Sequence, residues 1–314
     1  MTWFRAALLL AGSGLVLLTG LCLAGIFGAP TDTFNHLWPV WMVFAISLLM
    51  VTLLARQLAL AATTTICITL LAAIAMDTRD IPQAQGERDI RILSHNLWGS
   101  TRAAGGLVHL VDATEPDVIA LQEAFNHLNP ILDQLESDYP FFSRCRWEST
   151  RIYSRFPIHG SGCLRRRPAI NPVFGVAIPG LDMPSSAWAE IELPDGERFM
   201  LGSIHLTWPD PLSSQNEQVE ALSQELRRVD PAQLVLVGDF NAAAPARVLE
   251  TMANRWQVTR LTRHQPTWPA TRPIVGIDHA FAGENWARVE IEVGPLTGSD
   301  HRPLIIDLAR TERD

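Results

Sequence analysis

The sequence predicts three membrane-spanning helices followed by one α/β domain, in which two packed sheets carry helices on their outer faces. Three observations lead there. The excess of apolar residues lies mostly before residue 77, in three runs. From residue 90 onward, short apolar strands alternate with amphipathic helices. Those strands outnumber what a doubly wound sheet needs, so two sheets packed together fit better.

The amino-terminal runs cover residues 6–27, 37–55 and 58–76. Each is close to the roughly 20 residues a helix needs to cross the hydrocarbon core. Only Arg56 and Gln57 separate the last two, which predicts a tight helical hairpin. The first run follows Arg5 and has a second reading as a cleaved signal peptide. Its length and the two runs after it favour a span. Arg5 and Arg56 lie on one side of such a unit. The loop from Gly28 to His36 lies on the other and carries Asp32 but no arginine. The excess of cations in cytoplasmic loops then puts the amino terminus and Arg56 in the cytoplasm and the globular domain on the far, extracytoplasmic side of the cell membrane. Residues 77–89, with Pro82 and Gly86, read as a polar linker. The expected organisation is a three-span unit at 1–76, this linker, and a globular domain at 90–314.

Within the domain, Ile90–Ser94 reads as a strand running into His95 and Asn96, and Leu107–Ala113 as a helix. Asp117–Leu121 follows Glu115-Pro116 as a buried strand, and Leu128–Leu135 has helical spacing. Strands are expected near Arg151–Ser154, Ala187–Leu193 and Phe199–His205, the last two joined by the turn Pro194-Asp195-Gly196. Gln215–Val229 is amphipathic, with Val219, Leu222 and Leu226 on one face. Leu234–Val237 is a buried strand ending at Gly238, and Ile274–Phe281 and Leu304–Leu308 are further strands.

Charge and cysteine content narrow the function. The net charge is -8, and every fixed cation is arginine because the chain has no lysine. Non-specific DNA affinity comes mainly from cations neutralising phosphates, so a bulk nucleic-acid binder is not favoured. A metal site still binds a single phosphate in an acidic protein, because the ion inverts the local charge. The four cysteines form no CxxC and no zinc-type cluster. Cys145 and Cys163 flank a strand-turn-strand stretch and are placed to form a disulfide in an oxidising compartment.

Polar residues recur where apolar strands end: Asn96, Glu123, His205, Asp239 with Asn241, Asp278 with His279, and Asp300 with His301. Ligands in α/β folds gather where strand ends open into loops. Carboxylate and amide oxygens suit Mg2+ or Mn2+, and histidines handle protons or phosphate charge. Singly, each piece also reads as a turn, a cap or a solvated residue. Together they specify a hard-metal phosphate site.

The order Asn96, Leu121-Gln122-Glu123, Ser154-Arg155-Phe156-Pro157-Ile158, His205, Gly238-Asp239-Phe240-Asn241, Ile277-Asp278-His279 and Gly298-Ser299-Asp300-His301-Arg302-Pro303 resembles the endonuclease/exonuclease/phosphatase superfamily. That superfamily includes DNase I-like nucleases, neutral sphingomyelinases and inositol polyphosphate 5-phosphatases. The resemblance covers about residues 90–309 and not the membrane unit. It implies a four-layer αββα sandwich with two mostly antiparallel sheets. It implies metal contacts at Asn96, Glu123 and Asp300, with Glu123 the main ligand, and Mg2+ or Mn2+ as cofactor. Asp239 would orient or deprotonate the attacking water, and Asn241 would fix that water or a phosphate oxygen. His301 would touch the scissile phosphate with Asp278 holding its ring, and His205 would contact the phosphate or protonate the leaving oxygen.

The chain also departs from relatives. Leu97-Trp98-Gly99 follows Asn96, so the acidic neighbour of apurinic endonucleases is absent. Arg151 and Arg155 are the only candidates for a cationic phosphate contact between Trp147 and Ser154 and its neighbour. The loop His264-Gln265-Pro266-Thr267-Trp268-Pro269, and Trp208-Pro209, are placed to shape a substrate mouth. The reading that results is a membrane-anchored, metal-dependent phosphoester hydrolase acting on a lipid or small phosphate. The alternatives are an extracytoplasmic DNase-type nuclease and a membrane scaffold that lost catalysis. The spans carry none of the buried charges that mark a transport path. A reporter that works only outside the cytoplasm should be active when fused after Asp314. Activity only of a cytoplasmic reporter would reverse the topology.

Overall fold

The computed structural model of the chain describes residues 2–28, 31–76, 80–144, 149–164, 169–170, 177–178, 184–209, 214–263 and 265–311. The first part is helical: α1 (Thr2–Ala24), α2 (Trp38–Leu54) and α3 (Leu58–Ala75). All three are long and apolar enough to cross a membrane. Leu15, Cys22, Leu48, Cys67 and Leu71 pack among them, while Leu10, Leu17, Val43, Met50 and Leu54 face outward. A helix that is apolar all round suits hydrocarbon rather than water. The helices differ at their ends from the apolar runs. α1 stops at Ala24 and tightens into a 3-10 turn at Gly25–Phe27, and Thr31–Leu37 forms a 3-10 helix that enters α2, with Pro39 in its first turn.

The globular domain runs β1 (Ile90–Asn96), α4 (Thr101–Thr114), β2 (Val118–Gln122), α5 (Asn129–Leu132), β3 (Phe141–Arg144), β4 (Arg151–Ser154) and β5 (Ile158–Leu164). It continues with β6 (Ala169–Ile170), β7 (Ala177–Ile178), β8 (Ser185–Glu192), β9 (Arg198–His205), α6 (Ser214–Leu226), β10 (Leu234–Asp239) and α7 (Arg247–Trp256). It closes with β11 (Thr259–Arg260), β12 (Asp278–Ala282), β13 (Trp286–Val293) and β14 (Leu304–Arg310).

Two six-stranded sheets result, ordered β13-β14-β1-β2-β4-β3 and β11-β12-β10-β9-β8-β5. Each has a single parallel pair, β1 with β2 and β9 with β10, and its other pairs are antiparallel. The expected mostly antiparallel sandwich is therefore the observed one. Side chains alternate across a strand, and here both faces are covered, so strands read as continuous apolar runs. Ile90, Ile92, Val118, Ala120, Ala187, Ala189, Val235, Val237, Ala280, Ile306 and Leu308 fill the space between the sheets. Leu93, Ile119, Leu121 and Ile305 point the other way, onto Leu107, Leu110 and Val111 of α4. Leu234, Leu236 and Phe281 point onto Val219 and Leu222 of α6 and Val248, Leu249 and Met252 of α7. The layers are thus helix, sheet, sheet, helix.

Several sequence expectations shift. The helix expected over Leu128–Leu135 is only α5, followed by a 3-10 helix at Asp133–Ser137. The strand expected from Ile274 starts at Asp278, because Thr267 and Trp268 both donate their backbone N–H to Val275 O and fold residues 266–277 back as a loop. The linker is partly pinned: Arg288 N donates to Pro82 O, Ala84 N to Arg288 O, and Ile81 packs on the core. Its residues 77–79 lie outside the described ones. So do Cys145 and His264; Cys163 is disulfide-bonded.

The segment between α1 and α2 reaches the globular domain. The Asp32 carboxylate accepts the backbone N–H of Arg247 at 2.9 Å and of Val248 at 3.3 Å. These are donors at the start of α7, where helical N–H groups lack intrahelical partners. His36 Nδ1 accepts from Ala243 N at 3.4 Å, and Trp38 packs with Ala243, Val275, Ile277 and Trp268. Asp32→Ala should cost about 1 kcal/mol or more through the lost cap. Faster hydrogen exchange at the Arg247 and Val248 amides and a lower Tm in micelles would show it; unchanged exchange there would contradict the capping role.

Candidate active site

Strand register gathers the polar strand ends on one edge of the sandwich. In the parallel pairs, Asn96 aligns with Gln122 and Asp239 with His205, so all four strands end together. β12 runs antiparallel to β10 with Asp278 opposite Asp239, so its first residue lies at the same edge. β14 runs antiparallel to β1 with Leu304 opposite Ser94, which brings residues 298–303 beside Asn96. Alternation then sets direction. Asn96, His205, Asp239 and Asp278 continue the inward-facing positions of their strands, two residues on from Ser94, Ser203, Val237 and Ala280. They therefore face each other across the mouth of the inter-sheet space.

Below the charged layer lies a polar one. Gln122 Nε2 donates to Ser203 Oγ at 2.9 Å, and Ser203 Oγ donates to Leu121 O at 3.0 Å. The interior thus grades from aliphatic to hydroxyl and amide to charged. Gly238 allows the two halves of the second sheet to close here. Its φ is +141°, and a Cβ on it would lie 2.1 Å from Ile204 O. Glu123 and Asn241, each just past a strand end, adopt left-handed φ of 50° and 47°, as does Trp98 at 51°. Such non-glycine conformations are sparsely populated and gather at functional sites.

The side chains interlock. Asn96 Nδ2 donates to Asp239 Oδ2 at 2.9 Å and to Glu123 Oε1 at 3.2 Å, joining the two sheets, while its Oδ1 accepts from Trp98 N at 2.8 Å. Asp239 Oδ1 accepts Asn241 N at 2.8 Å, and Asn241 Nδ2 donates to Leu206 O at 2.9 Å. His205 Nε2 lies 3.6 Å from Asp239 Oδ2 and 3.7 Å from Glu123 Oε1. His301 Nε2 lies 3.6 Å from Asp239 Oδ2, and its Nδ1 bonds Asp278 Oδ2 at 2.9 Å. Asp300 Oδ2 accepts Trp268 Nε1 at 3.3 Å. All eight residues singled out from the sequence lie in this edge cluster.

Burial and charge separate the histidines. Burial works against a charge on His301, but Asp278 and Asp239, aided by the Asp278 hydrogen bond and Asp300, outweigh it and push His301 up to about 10. Burial opposes the Asp278 charge too, yet the His301 charge and hydrogen bond hold that carboxyl below the usual range. Asp239 moves the other way: desolvation raises it, only partly offset by His301 and His205. His95 and His279 are pushed down by burial to about 3 and stay neutral.

Several of these side chains suit a cation. Asp239, Asp278 and His301 place ligand atoms within 4.8 Å of one another. With no ion bound, the carboxylates around His301 favour its protonated form, and a cation there would compete with that proton. Hard oxygens are also offered by Glu123, bonded to Asn96, and by Asp300, beside His301. Asp300 Oδ1 is buried and, among the described residues, has no hydrogen-bond partner. Four carboxylates face two histidines, an excess of negative charge that a divalent ion offsets.

Some supporting residues escaped the sequence reading. Ser299 Oγ donates to Asn96 O at 2.7 Å and accepts from His301 N at 3.1 Å, tying the last loop to β1. Gln215 Nε2 donates to Thr207 O, Phe240 O and Asn241 O, so α6 holds both loops of the second sheet. Its signal was a glutamine on the apolar face shared with Val219, Leu222 and Leu226. The arginine candidates have other roles. Arg151 is buried, donating to Ala124 O at 2.8 Å and Asn129 Oδ1 at 2.7 Å, and so braces the loop after Glu123. Arg155 lies over the Tyr139 ring and donates its N–H to Asp117 O, at the far end of β2.

His279 braces the Asn241 loop from below, with Nε2 bonding Ala242 O at 2.8 Å and Nδ1 accepting Thr262 Oγ1 at 2.7 Å. Its folded pKa, about 3, lies below the ordinary 6.5, so between these values the unfolded chain binds a proton that the folded one refuses. Its stabilisation is full above pH 6.5 and is lost as pH falls toward 3. Tm against pH should therefore fall less steeply in this window for His279→Gln than for the wild type; parallel curves would refute the assignment.

The comparisons with known proteins agree with this geometry. The sequence model of the endonuclease/exonuclease/phosphatase family matches residues 93–301. No curated protein sequence matches the chain. An endonuclease/exonuclease/phosphatase structure from Beutenbergia cavernae superposes with a TM-score of 0.55 at 19% identity, over 71% of this chain and 72% of that one. The human Nocturnin catalytic domain with bound sulfate gives 0.54 at 18%, over 75% and 96%. A mannosyl-6-phosphatase from Bacteroides thetaiotaomicron gives 0.53 at 16%, over 70% and 99%. At these identities the structures speak for the fold, and the family match, spanning most of the chain and all eight residues of the edge cluster, shows that this protein belongs to the endonuclease/exonuclease/phosphatase family.

Proposed function

We propose that the domain hydrolyses phosphoesters with the help of Mg2+ or Mn2+, from the extracytoplasmic face of a membrane that α1, α2 and α3 cross. The observation that carries the hydrolase reading is the set Asp239, Asn241, His301 and Asp278, buried together beside the hard oxygens of Glu123 and Asp300. Glu123 and Asp300 are the carboxylates suited to the cation. Asn96 sits beside it and holds Glu123 in place. The cation, when bound, offsets negative charge on the phosphate oxygens.

The chain's own groups supply the rest. Desolvation raises the Asp239 pKa, which makes this carboxylate a stronger base toward a water proton. Asn241 Nδ2 is already bonded, while its buried Oδ1 has no hydrogen-bond partner among the described residues. An oxygen acceptor pairs with the second hydrogen of that water, not with a phosphate oxygen. The His301 imidazolium donates from Nε2 to a phosphate oxygen, with Asp278 fixing the ring through Nδ1. His205, facing both Glu123 and Asp239, is placed to protonate the leaving oxygen.

The membrane part of the reading is supported by Asp32, His36 and Trp38. They bind the segment between α1 and α2 to the globular domain, so that segment and the domain share one side. An odd number of spans requires this. Asp239→Asn and His301→Ala should each lower metal-dependent cleavage of bis(p-nitrophenyl) phosphate roughly 10²- to 10⁴-fold. Circular dichroism should stay that of the wild type, and chelation should abolish turnover until Mg2+ or Mn2+ is restored. Near wild-type turnover in either variant would overturn the assignment.

A further inference from the structure

The rim of the candidate site is apolar. Seven large hydrophobic side chains are exposed among the described residues of the globular domain: Trp98, Phe125, Phe141, Phe142, Trp208, Ile274 and Leu296. Five of them flank site residues. Trp98 lies two residues after Asn96, Phe125 two after Glu123, and Trp208 three after His205. Ile274 lies four before Asp278, and Leu296 four before Asp300. Phe141 and Phe142 lie elsewhere: Phe141 pairs with Ser154, and Ser154 with Val118, at the opposite end of β2 from Glu123. The side chains of Trp98 and Trp208 are 59% and 57% exposed, which is costly in water for a ring of that size unless something covers it.

The same edge carries the membrane unit. Trp38, the first residue of α2, packs on Ala243, Ile277 and Trp268. Ala243 lies two residues after Asn241, Ile277 directly precedes Asp278, and Trp268 donates to Asp300. Trp268 in turn meets Trp208 edge to face, with ring centroids 5.9 Å apart. An aromatic path therefore runs from the start of α2, through the site wall, to the exposed rim. Tryptophan favours the boundary between headgroups and acyl chains, where the ends of spanning helices sit.

We infer that the mouth of the site is held against the bilayer surface, with its apolar rim in the headgroup layer, and that the substrate is a phosphoester in the headgroup of a membrane lipid. This rests on the hydrolase reading above. A headgroup phosphate lies at the depth to which Trp98, Phe125, Trp208, Ile274 and Leu296 would sink. The acidic, lysine-free chain does not offer the basic track that a polynucleotide needs. The rim buries apolar area only when the lipid is in a bilayer, so it acts on lipid turnover and not on the chemistry of a soluble ester.

The test uses the full chain reconstituted with Mg2+ or Mn2+. Its probes are vesicles of equal parts phosphatidylethanolamine, phosphatidylglycerol and phosphatidylcholine, and soluble bis(p-nitrophenyl) phosphate. The wild type should cleave both. The double variant Ile274→Ser with Leu296→Ser should lose roughly tenfold or more on vesicles through the lost apolar contact, yet keep soluble turnover. Phe141→Ser, at the far end, should keep both. Soluble turnover without lipid cleavage, or lipid cleavage indifferent to the double variant, overturns the inference and leaves the hydrolase reading standing. No metal-dependent cleavage of either probe, with Asp239→Asn indistinguishable from wild type, overturns the hydrolase reading and this inference with it.

Discussion

The face-to-face packing of the two sheets sets everything else in this domain. Alternate residues of every central strand must enter one shared space, and at its middle they must be apolar. At the edge where β1, β2, β9 and β10 end together, that demand relaxes. The next inward positions become Ser94, Gln122 and Ser203, and the last become Asn96, His205 and Asp239. The bond from Asn96 Nδ2 to Asp239 Oδ2 crosses from one sheet to the other and fixes the separation of the two halves of the site. Neither sheet alone would bring these side chains together.

Burial of this cluster has an electrostatic consequence. An isolated charge so far from water would neutralise itself, so the site keeps its charges by pairing them. Asp278 and His301 favour their ionised forms because each is the other's partner, while burial raises Asp239 despite His301 and His205. Two carboxyls of one cluster are thus shifted in opposite directions. Ser299, Gln215, Arg151 and His279 add nothing to that chemistry directly. They bond the loops that carry it, which matters because strand-end residues with left-handed backbones do not hold their position unaided.

The apolar helical unit belongs to the same arrangement. Its link to the domain is not only the linker at 77–89, parts of which pack along β13. The short segment before α2 caps α7 and places Trp38 against the loops of Asn241 and Asp278. The orientation of the site toward the helices is thus built from ordinary capping and aromatic packing.

How much of this was legible in the sequence depended on the range of the interaction. Apolar runs long enough for α1, α2 and α3, the strands β1, β2, β4, β9 and β10, and the turn at Pro194-Asp195-Gly196 follow from local periodicity and turn chemistry. The clustering of the eight candidate residues was legible because each closes or opens an apolar strand in a recognisable order. The short α5, the folded-back loop before Asp278 and the ends of α1 and α2 were not, because nearby packing overrode local spacing. Arg151 and Arg155 look alike in sequence, and only their partners make one a loop brace and the other a cation over Tyr139. The sequence by itself determined the division into an apolar helical unit and an α/β sandwich, together with the residue types of the site, since these depend on hydrophobic period and local chemistry. The tertiary structure alone decided that burial pushes His95 and His279 down toward the neutral form, that Asp32 caps α7, and that the site edge meets the helices. Those outcomes depend on which groups become neighbours in space, across 17 residues for His279 and Thr262 and 215 for Asp32 and Arg247, and local pattern holds no record of that.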